Sequence, residues 1–440
     1  MLYRKIESFI EEQLTSADDK ILIIEGARQT GKSYIIRETG KRLFPHFIEL
    51  NFAEDALGEE KYKNIRTTEE FYFRLSTTAG NEMGEYGDTL IFLDEIQQYP
   101  QYLTMLKFFR QEHRFHFICS GSLLGLALRV TTSIPVGSVI RKEMHQLDFE
   151  EFLIANGMGR EAIDVIRRKF EARESLDETT HEYIMKLFRR YLITGGMPDV
   201  VNEYLATNNI MRIRQLQNSI HSLYADDAAK YEADSGRHLM IKRVYDMAVS
   251  QMENKKKRIV AKNIRDKEGD RFDNYIEEFE YLISSGITNA VSAISNPVYP
   301  LEASMQKNLV KLYLNDTGIL TSRLYSNNVE SILDDKSSVN LGAVYECVAA
   351  QELKAHGHRL FYYDNRKKGE VDFIINDYTT QSVMPIEIKS GKDYAVHSAL
   401  NNLLAVPDYN VKSALVLSND RVVRQENQIW YMPIYYVMFL

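Results

Sequence analysis

Short apolar runs alternating with stretches of helical spacing set the pattern of the first 147 positions. The runs are Ile21-Leu22-Ile23-Ile24, Phe47-Ile48-Glu49-Leu50-Asn51, Leu90-Ile91-Phe92-Leu93 and Phe115-His116-Phe117-Ile118-Cys119. This is the rhythm of βαβ units around a parallel sheet. Between the last two runs Leu103, Leu106 and Phe109 recur every three residues after Pro100, which predicts an amphipathic helix.

The period changes at Asp148. Asp148 with Glu151 three residues on reads as a capping box, and Phe149, Phe152 and Leu153 follow at helical spacing. Helical stripes continue through Ile163/Ile166/Phe170, Tyr183/Leu187/Tyr191 and Ile213/Leu216/Ile220/Leu223, broken by a tight turn at Gly195-Gly196 and Pro198. A helix over 273–285 stops at Gly286, and Ile287–Ile294 and Leu309–Leu314 read as paired strands. That is the outline of a winged helix. The polar stretch from Thr321 through Ser338 reads as a linker. Beyond it, a helix over 341–356 precedes strands at Leu360–Tyr363, Val371–Ile375 and Ile386–Lys389, a helix at His397–Leu404, and strands at Ser413–Leu417 and Ile429–Val437. The expected organisation is therefore α/β: a parallel-sheet core over 1–147, a helical extension over 148–235, a winged-helix-like domain over 236–325 and a second α/β domain over 338–440.

Composition narrows the partners. With 54 Lys and Arg against 62 Asp and Glu, the net charge of −8 argues against coating nucleic acid by global attraction. Any such contact must be local, and Lys255-Lys256-Lys257-Arg258 and Arg366-Lys367-Lys368 are the clusters able to make it. Charges interrupt the opening residues too often for a signal peptide or a membrane span, and two cysteines, Cys119 and Cys347, sit in apolar runs. A reduced, cytoplasmic protein without a membrane partner is expected.

Gly26-Ala27-Arg28-Gln29-Thr30-Gly31-Lys32-Ser33 follows the first apolar run and opens a helical stretch. Glycines at Gly26 and Gly31 let the backbone turn its N–H groups inward, and the helix N-terminus faces the anion. Lys32 supplies a point charge for β and γ phosphates, and Ser33 a hydroxyl for magnesium. The run Leu90–Leu93 ends in Asp94-Glu95. Asp94 can hold magnesium through water, and Glu95 can orient or deprotonate the attacking water. Ser120-Gly121-Ser122 would lie beside the γ-phosphate. Arg129 and Arg141 are the candidates for a transition-state arginine. The cofactors expected are ATP and Mg²⁺.

A second constellation lies near the C-terminus. Alternation puts Glu387 and Lys389 on one face of a strand, and Asp372 lies on the strand before it. Paired, these strands would let Asp372 and Glu387 coordinate magnesium while Lys389 stabilises developing charge; Glu346 could add a carboxylate from the preceding helix. The same Glu-x-Lys also occurs as an ordinary ion pair on a sheet face.

The loop Gly26–Ser33, Leu90–Glu95, Ser120–Ser122, Leu147–Leu153, Gly195–Pro198, Asn315–Gly318 and Gly369–Phe373 with Ile386–Lys389 together resemble, nearly end to end, the prokaryotic AAA-type ATP-binding proteins with a C-terminal domain of unknown function. The resemblance implies an AAA core, a helical extension, a winged-helix-like region and a fold similar to PD-(D/E)xK restriction endonucleases. Two positions depart from the pattern: Ser138 stands after Gly137 where an arginine is frequent, and Gln146 precedes Leu147 where a proline is usual. The expected function is an ATPase coupling its cycle to DNA binding and metal-dependent phosphodiester cleavage. The alternative is a non-cleaving, nucleotide-gated switch that binds DNA or a protein partner.

Overall fold

In the computed structural model of the chain, the structure describes residues 2–80, 83–85, 87–122, 137–230, 235–252, 257, 259, 264, 272–326, 328–333, 341–391 and 395–440. Two compact units are present: Tyr3–Gln146 with Ser284–Gly286, and a second built from Leu147–Ile283 and Ile287–Leu440.

The first unit is organised by a five-stranded sheet of β1 (Ile21–Glu25), β2 (His46–Asn51), β3 (Thr89–Asp94), β4 (His116–Gly121) and β5 (Val139–Glu143), in the order β2-β3-β4-β1-β5. All its pairings are parallel. Because successive residues of a strand face opposite sides, an unbroken apolar run supplies two cores at once. Ile21, Ile23, Ile91, Leu93, Phe117 and Cys119 pack with Phe71, Leu75, Leu103, Leu106 and Phe109 on one side. Leu22, Ile24, Leu90, Phe92 and Ile118 pack with Ile10, Ile35 and Ile36 on the other. Leu103, Leu106 and Phe109 lie on the helix Gln101–Glu112, as their spacing predicts. β5 did not stand out in the sequence because it is an edge strand whose Arg141 and Lys142 are exposed.

The second unit begins with helices. Asp148 caps Phe149–Ala155 in a complete capping box with Glu151, worth about 1 kcal/mol. Helices Arg160–Glu171, Glu178–Thr194, Pro198–Thr207, Ile210–Lys230 and Ser235–Gln251 follow. An eight-stranded mixed sheet then forms from β6 (Thr288–Ile294), β7 (Met305–Leu314), β8 (Leu360–Asn365), β9 (Gly369–Asp377), β10 (Ser382–Ile388), β11 (Ala414–Ser418), β12 (Arg424–Glu426) and β13 (Ile429–Pro433), in the order β12-β13-β11-β10-β9-β8-β6-β7. The helix Gly342–Ala355 is buried along most of its length.

Three expectations need correction. The strands read as a separate wing do form an antiparallel hairpin, β6 with β7. However, β6 also pairs in parallel with β8, Val291 opposite Leu360 through Ile294 opposite Tyr363, so the hairpin continues the C-terminal sheet. Part of the supposed linker is folded: Thr317–Leu324 and Val329–Leu333 are helices, while 334–338 lies outside the described residues. Its hydroxyls are satisfied internally, Thr321 Oγ1 donating to Leu192 O at 3.0 Å and Ser322 Oγ to Ile319 O at 2.7 Å. Finally, the last strand stops at Pro433, which has no N–H to extend a ladder, and Ile434–Phe439 coils into a 3₁₀ turn.

Several motifs quoted for the family resemblance meet in a buried polar knot of this unit. Leu147 N donates to Gly196 O at 2.8 Å, and Gly196 N donates to Asp316 at 2.7 Å. Glu352 accepts from Phe149 N at 2.9 Å and from the Tyr191 hydroxyl at 3.0 Å. Gln351 accepts from Thr317 N at 3.0 Å and donates to the Tyr191 hydroxyl at 2.5 Å. These residues tie the helical segment to the helices Thr317–Leu324 and Gly342–Ala355.

Candidate functional site

The loop after β1 has the backbone shape that its glycines predict. Gly26 has φ 140° and Gly31 φ 90°, and a Cβ at Gly26 would fall 2.2 Å from Met144 O. Among the described residues no side chain caps the helix Lys32–Leu43 that Gly31 leads into, so its first N–H groups are left for an anion. Lys32 is buried and curls over the loop, donating to Gly26 O at 2.9 Å and Ala27 O at 2.8 Å. Burial pulls its ammonium down to about 8, against the opposing pull of Glu95 and Asp94. Within the loop Thr30 Oγ1 donates to Ala27 O at 2.9 Å, while Gln29 is exposed with φ 64°.

β3 brings its acidic pair to the same place. Ser33 Oγ donates to Asp94 Oδ1 at 3.0 Å, and Ser120 Oγ on the neighbouring β4 donates to the same oxygen. Burial raises the Asp94 carboxyl above its ordinary value, partly countered by the Ser120 and Ser33 hydroxyls. Glu95 leaves the strand in a left-handed conformation, φ 53°, and accepts from Ser122 Oγ at 3.0 Å and from Gln97 Nε2. Arg28 Nε reaches Ser122 Oγ at 3.5 Å. Gly26, Ala27, Arg28, Gln29, Thr30, Gly31, Lys32, Ser33, Asp94, Glu95 and Ser120 thus surround one loop. The hydroxyl of Ser33 beside a carboxylate is a donor set that fits a hydrated magnesium ion.

One supporting residue was not legible in the sequence. Arg4 is buried and donates to Thr30 O at 2.9 Å and to His145 O at 2.5 Å, bracing the loop from the chain's start. Arginine four residues into a chain carries no signal of that reach. Arg141 lies on β5 and pairs with Glu25 at 2.5 Å, while Arg129 lies outside the described residues.

In the second unit β9 and β10 pair antiparallel, so Asp372 and Glu387 are adjacent. Asp372 Oδ2 accepts from Ile388 N at 2.8 Å, and Lys389 Nζ contacts Glu387 Oε1 at 2.8 Å. Burial, then the Glu387 and Glu346 charges, push the Asp372 carboxyl well above its ordinary value. Burial also raises Glu387, opposed by Lys389. Glu346 is committed elsewhere: it accepts from Lys257 Nζ and, at 2.7 Å, from the Tyr313 hydroxyl. Burial works against the Glu346 carboxylate, yet Lys257, Lys311 and Tyr313 hold it below the usual range. Among the described residues, no group of three or more His, Cys, Asp or Glu side chains is placed to hold a metal ion, so the expected set of Glu346, Asp372 and Glu387 does not converge as one. Lys311, unremarked in the sequence, is fully buried, paired with Glu370 at 2.5 Å and 4.6 Å from the centre of the Tyr362 ring.

Of the basic clusters, Arg366 and Lys367 are exposed in the turn between β8 and β9. Lys257 alone of Lys255–Arg258 is described, and it is spent on Glu346. Among the described residues no helix is long and apolar enough to cross a membrane.

The chain matches three families along its length: an AAA domain over residues 18–153, a domain of unknown function (DUF8612) over 185–330, and a second domain of unknown function (DUF4143) over 341–437. No curated protein matches it. Solved structures similar to it include a Walker-type ATPase of Pyrococcus abyssi, at 14% identity and TM-score 0.44, covering 73% of this chain and 95% of that one. The Aeropyrum pernix ORC1 protein in complex with DNA is similar at 13% identity and TM-score 0.34, covering 76% of this chain and 93% of that one. AMPPCP-bound DnaA from Aquifex aeolicus is similar at 13% identity and TM-score 0.28, covering 56% of this chain and 76% of that one. With its phosphate loop, acidic strand end and parallel sheet lying inside the matched segment, residues 18–153 form a P-loop domain of the AAA type.

Proposed function

We propose that this protein binds and hydrolyses magnesium ATP in its first unit and uses that cycle to govern how its second unit engages DNA. The carrying observation is the shared Asp94 oxygen, which accepts from Ser33 on the phosphate-loop helix and from Ser120 on the adjacent strand. Lys32 and the uncapped N-terminus of its helix would hold the β and γ phosphates, Ser33 and Asp94 would hold magnesium, and Glu95 would receive the proton of the attacking water. Magnesium supplies charge neutralisation for the phosphates when bound. Steady phosphate release by the wild type, absent in Lys32→Ala, is the expected result; equal rates in both would defeat the reading.

For the second unit the reading is metal-dependent phosphodiester cleavage on a PD-(D/E)xK-like sheet, with Asp372 and Glu387 as cation ligands and Lys389 as the charge-stabilising group. Glu387 Oε2 is buried without a hydrogen-bond partner among the described residues, and Glu387 and Lys389 are in direct contact. Both features suit two carboxylates and an ammonium gathered for a hard cation. Arg366 and Lys367 offer phosphate-backbone contacts. Plasmid incubated with protein, magnesium and ATP tests it: nicking by the wild type and none by Lys389→Ala supports cleavage.

The absence of a three-ligand metal group among the described residues favours a second reading. In it the second unit is a nuclease-inactive, nucleotide-gated switch for DNA or a protein partner. That reading predicts DNA affinity that differs between ATP and ADP states with intact plasmid throughout.

A further inference from the structure

Sheet register lines up a row of side chains across the middle of the second unit. Glu387 on β10 stands opposite Val416 on β11, and Val416 stands opposite Tyr431 on β13. Directly opposed residues share a face, so Glu387 and Tyr431 lie on one side of the sheet with one strand between them. At about 4.8 Å per strand their backbones are roughly 10 Å apart. One position beyond the Phe373–Ile386 pair, the same register brings Asp372 opposite Glu387.

His397 enters this row from the start of the helix Ser398–Leu404, whose Leu400 and Leu403 pack in the core that holds Val416 and Tyr431. Its Nε2 is 2.6 Å from the Tyr431 hydroxyl. Among the described residues its Nδ1 has no hydrogen-bond partner, and neither has Glu387 Oε2, although both residues are only 5% exposed. Buried polar atoms are nearly always paired, and two unpaired ones in a single row mark a place for a small polar ligand. Glu387 and His397 are near enough to interact electrostatically.

We propose that His397 is a positioning residue of the C-terminal site, holding Glu387 through a water molecule shared between His397 Nδ1 and Glu387 Oε2. Tyr431 fixes the imidazole from its other nitrogen. The carboxylate is thereby kept turned toward the cation it shares with Asp372. This role rests on the reading of Asp372 and Glu387 as cation ligands. Partners of this kind outside the coordination sphere change metal affinity by about 10–100-fold.

The test is calorimetric titration of the full chain with Mn²⁺ alone, with Asp94→Asn in every sample to remove the phosphate-loop cation site, for the otherwise wild type, Glu387→Gln, His397→Ala, His397→Asn, His397→Gln and Tyr431→Phe. An asparagine amide occupies the place of the imidazole Nδ1, and a glutamine amide that of Nε2. Glu387→Gln is expected to abolish uptake, and His397→Ala and His397→Gln to weaken it about 10-fold or more, with His397→Asn restoring most of the affinity. Should the histidine variants not fold, Tyr431→Phe removes one oxygen from the arrangement and is expected to weaken uptake several-fold. Wild-type uptake unchanged in all the His397 and Tyr431 variants, or asparagine no better than glutamine, overturns the role of His397 and leaves the cation site standing. No uptake by the wild type overturns the cation site and the role of His397 together.

Discussion

Ser33 and Asp94, 61 residues apart in sequence, meet through a 3.0 Å hydrogen bond between the start of a helix and the end of a strand. The hydroxyl and carboxylate are already oriented together, so on the proposed reading little reorganisation would accompany magnesium binding. Asp94→Asn is expected to lower ATP turnover about 100-fold or more while leaving metal-free nucleotide affinity within a few-fold. Phosphate release with and without magnesium, alongside fluorescent-nucleotide titration in EDTA, measures both.

Glu95 hangs from a left-handed residue and is held by Ser122 and Gln97. Glu95→Gln keeps that shape but cannot take a proton. Turnover should fall by about 10²–10⁴ with ATP still bound, read as single-turnover hydrolysis against equilibrium binding.

Lys32 holds its proton less firmly than a free lysine because it is buried, its value pulled down to about 8. Triphosphate binding selects the ammonium form, so ATP affinity should be flat below that pH and decline as pH rises through it. In Lys32→Met the decline should vanish along with most of the affinity. Calorimetry at pH 7 and 9 checks the slope.

Asp316 is fully buried, and burial pushes its carboxyl up to about 6 against hydrogen bonds from Gly196 and Ile319. A folded value above the unfolded 3.8 means that folding favours the proton. The contribution is harmless below about pH 4, and stability falls as pH rises from there to about 6, by about 3 kcal/mol at most. Urea unfolding at pH 4.5 and 7.5 should show this slope in the wild type and a reduced one in Asp316→Asn.

Arg4→Ala should weaken ATP binding several-fold, since the loop carbonyl of Thr30 and the carbonyl of His145 lose a shared donor. Arg4→Lys, which reaches only one of them, should fall between. Nucleotide titration at fixed magnesium distinguishes the three.

The first unit was legible because its chemistry is local. Gly26 to Ser33 lie in one loop, and Ile21–Ile24 and Leu90–Leu93 are strands whose apolar runs feed two cores. What the sequence hid was long-range. Nothing near Arg4 announces Thr30, nothing near Lys311 announces Glu370, and the β6–β8 pairing joins segments about 70 positions apart. The polar stretch from Thr321 misled because buried hydroxyls that bond back to their own helix look, as composition, like a solvated linker. His397 carries no signal in the sequence, since its partner Tyr431 lies 34 positions away and joins the row containing Glu387 only through sheet register.

The parallel seam between β6 and β8 sets where the chain can be cut. A fragment beginning at residue 338 would lack β6 and β7 and bare the hydrogen-bonding edge of β8, together with Phe361 and Tyr363, which are buried in the intact protein. An unprotected edge of that kind recruits other chains, so such a fragment would self-associate, and soluble pieces of the C-terminal half must start upstream of Thr288.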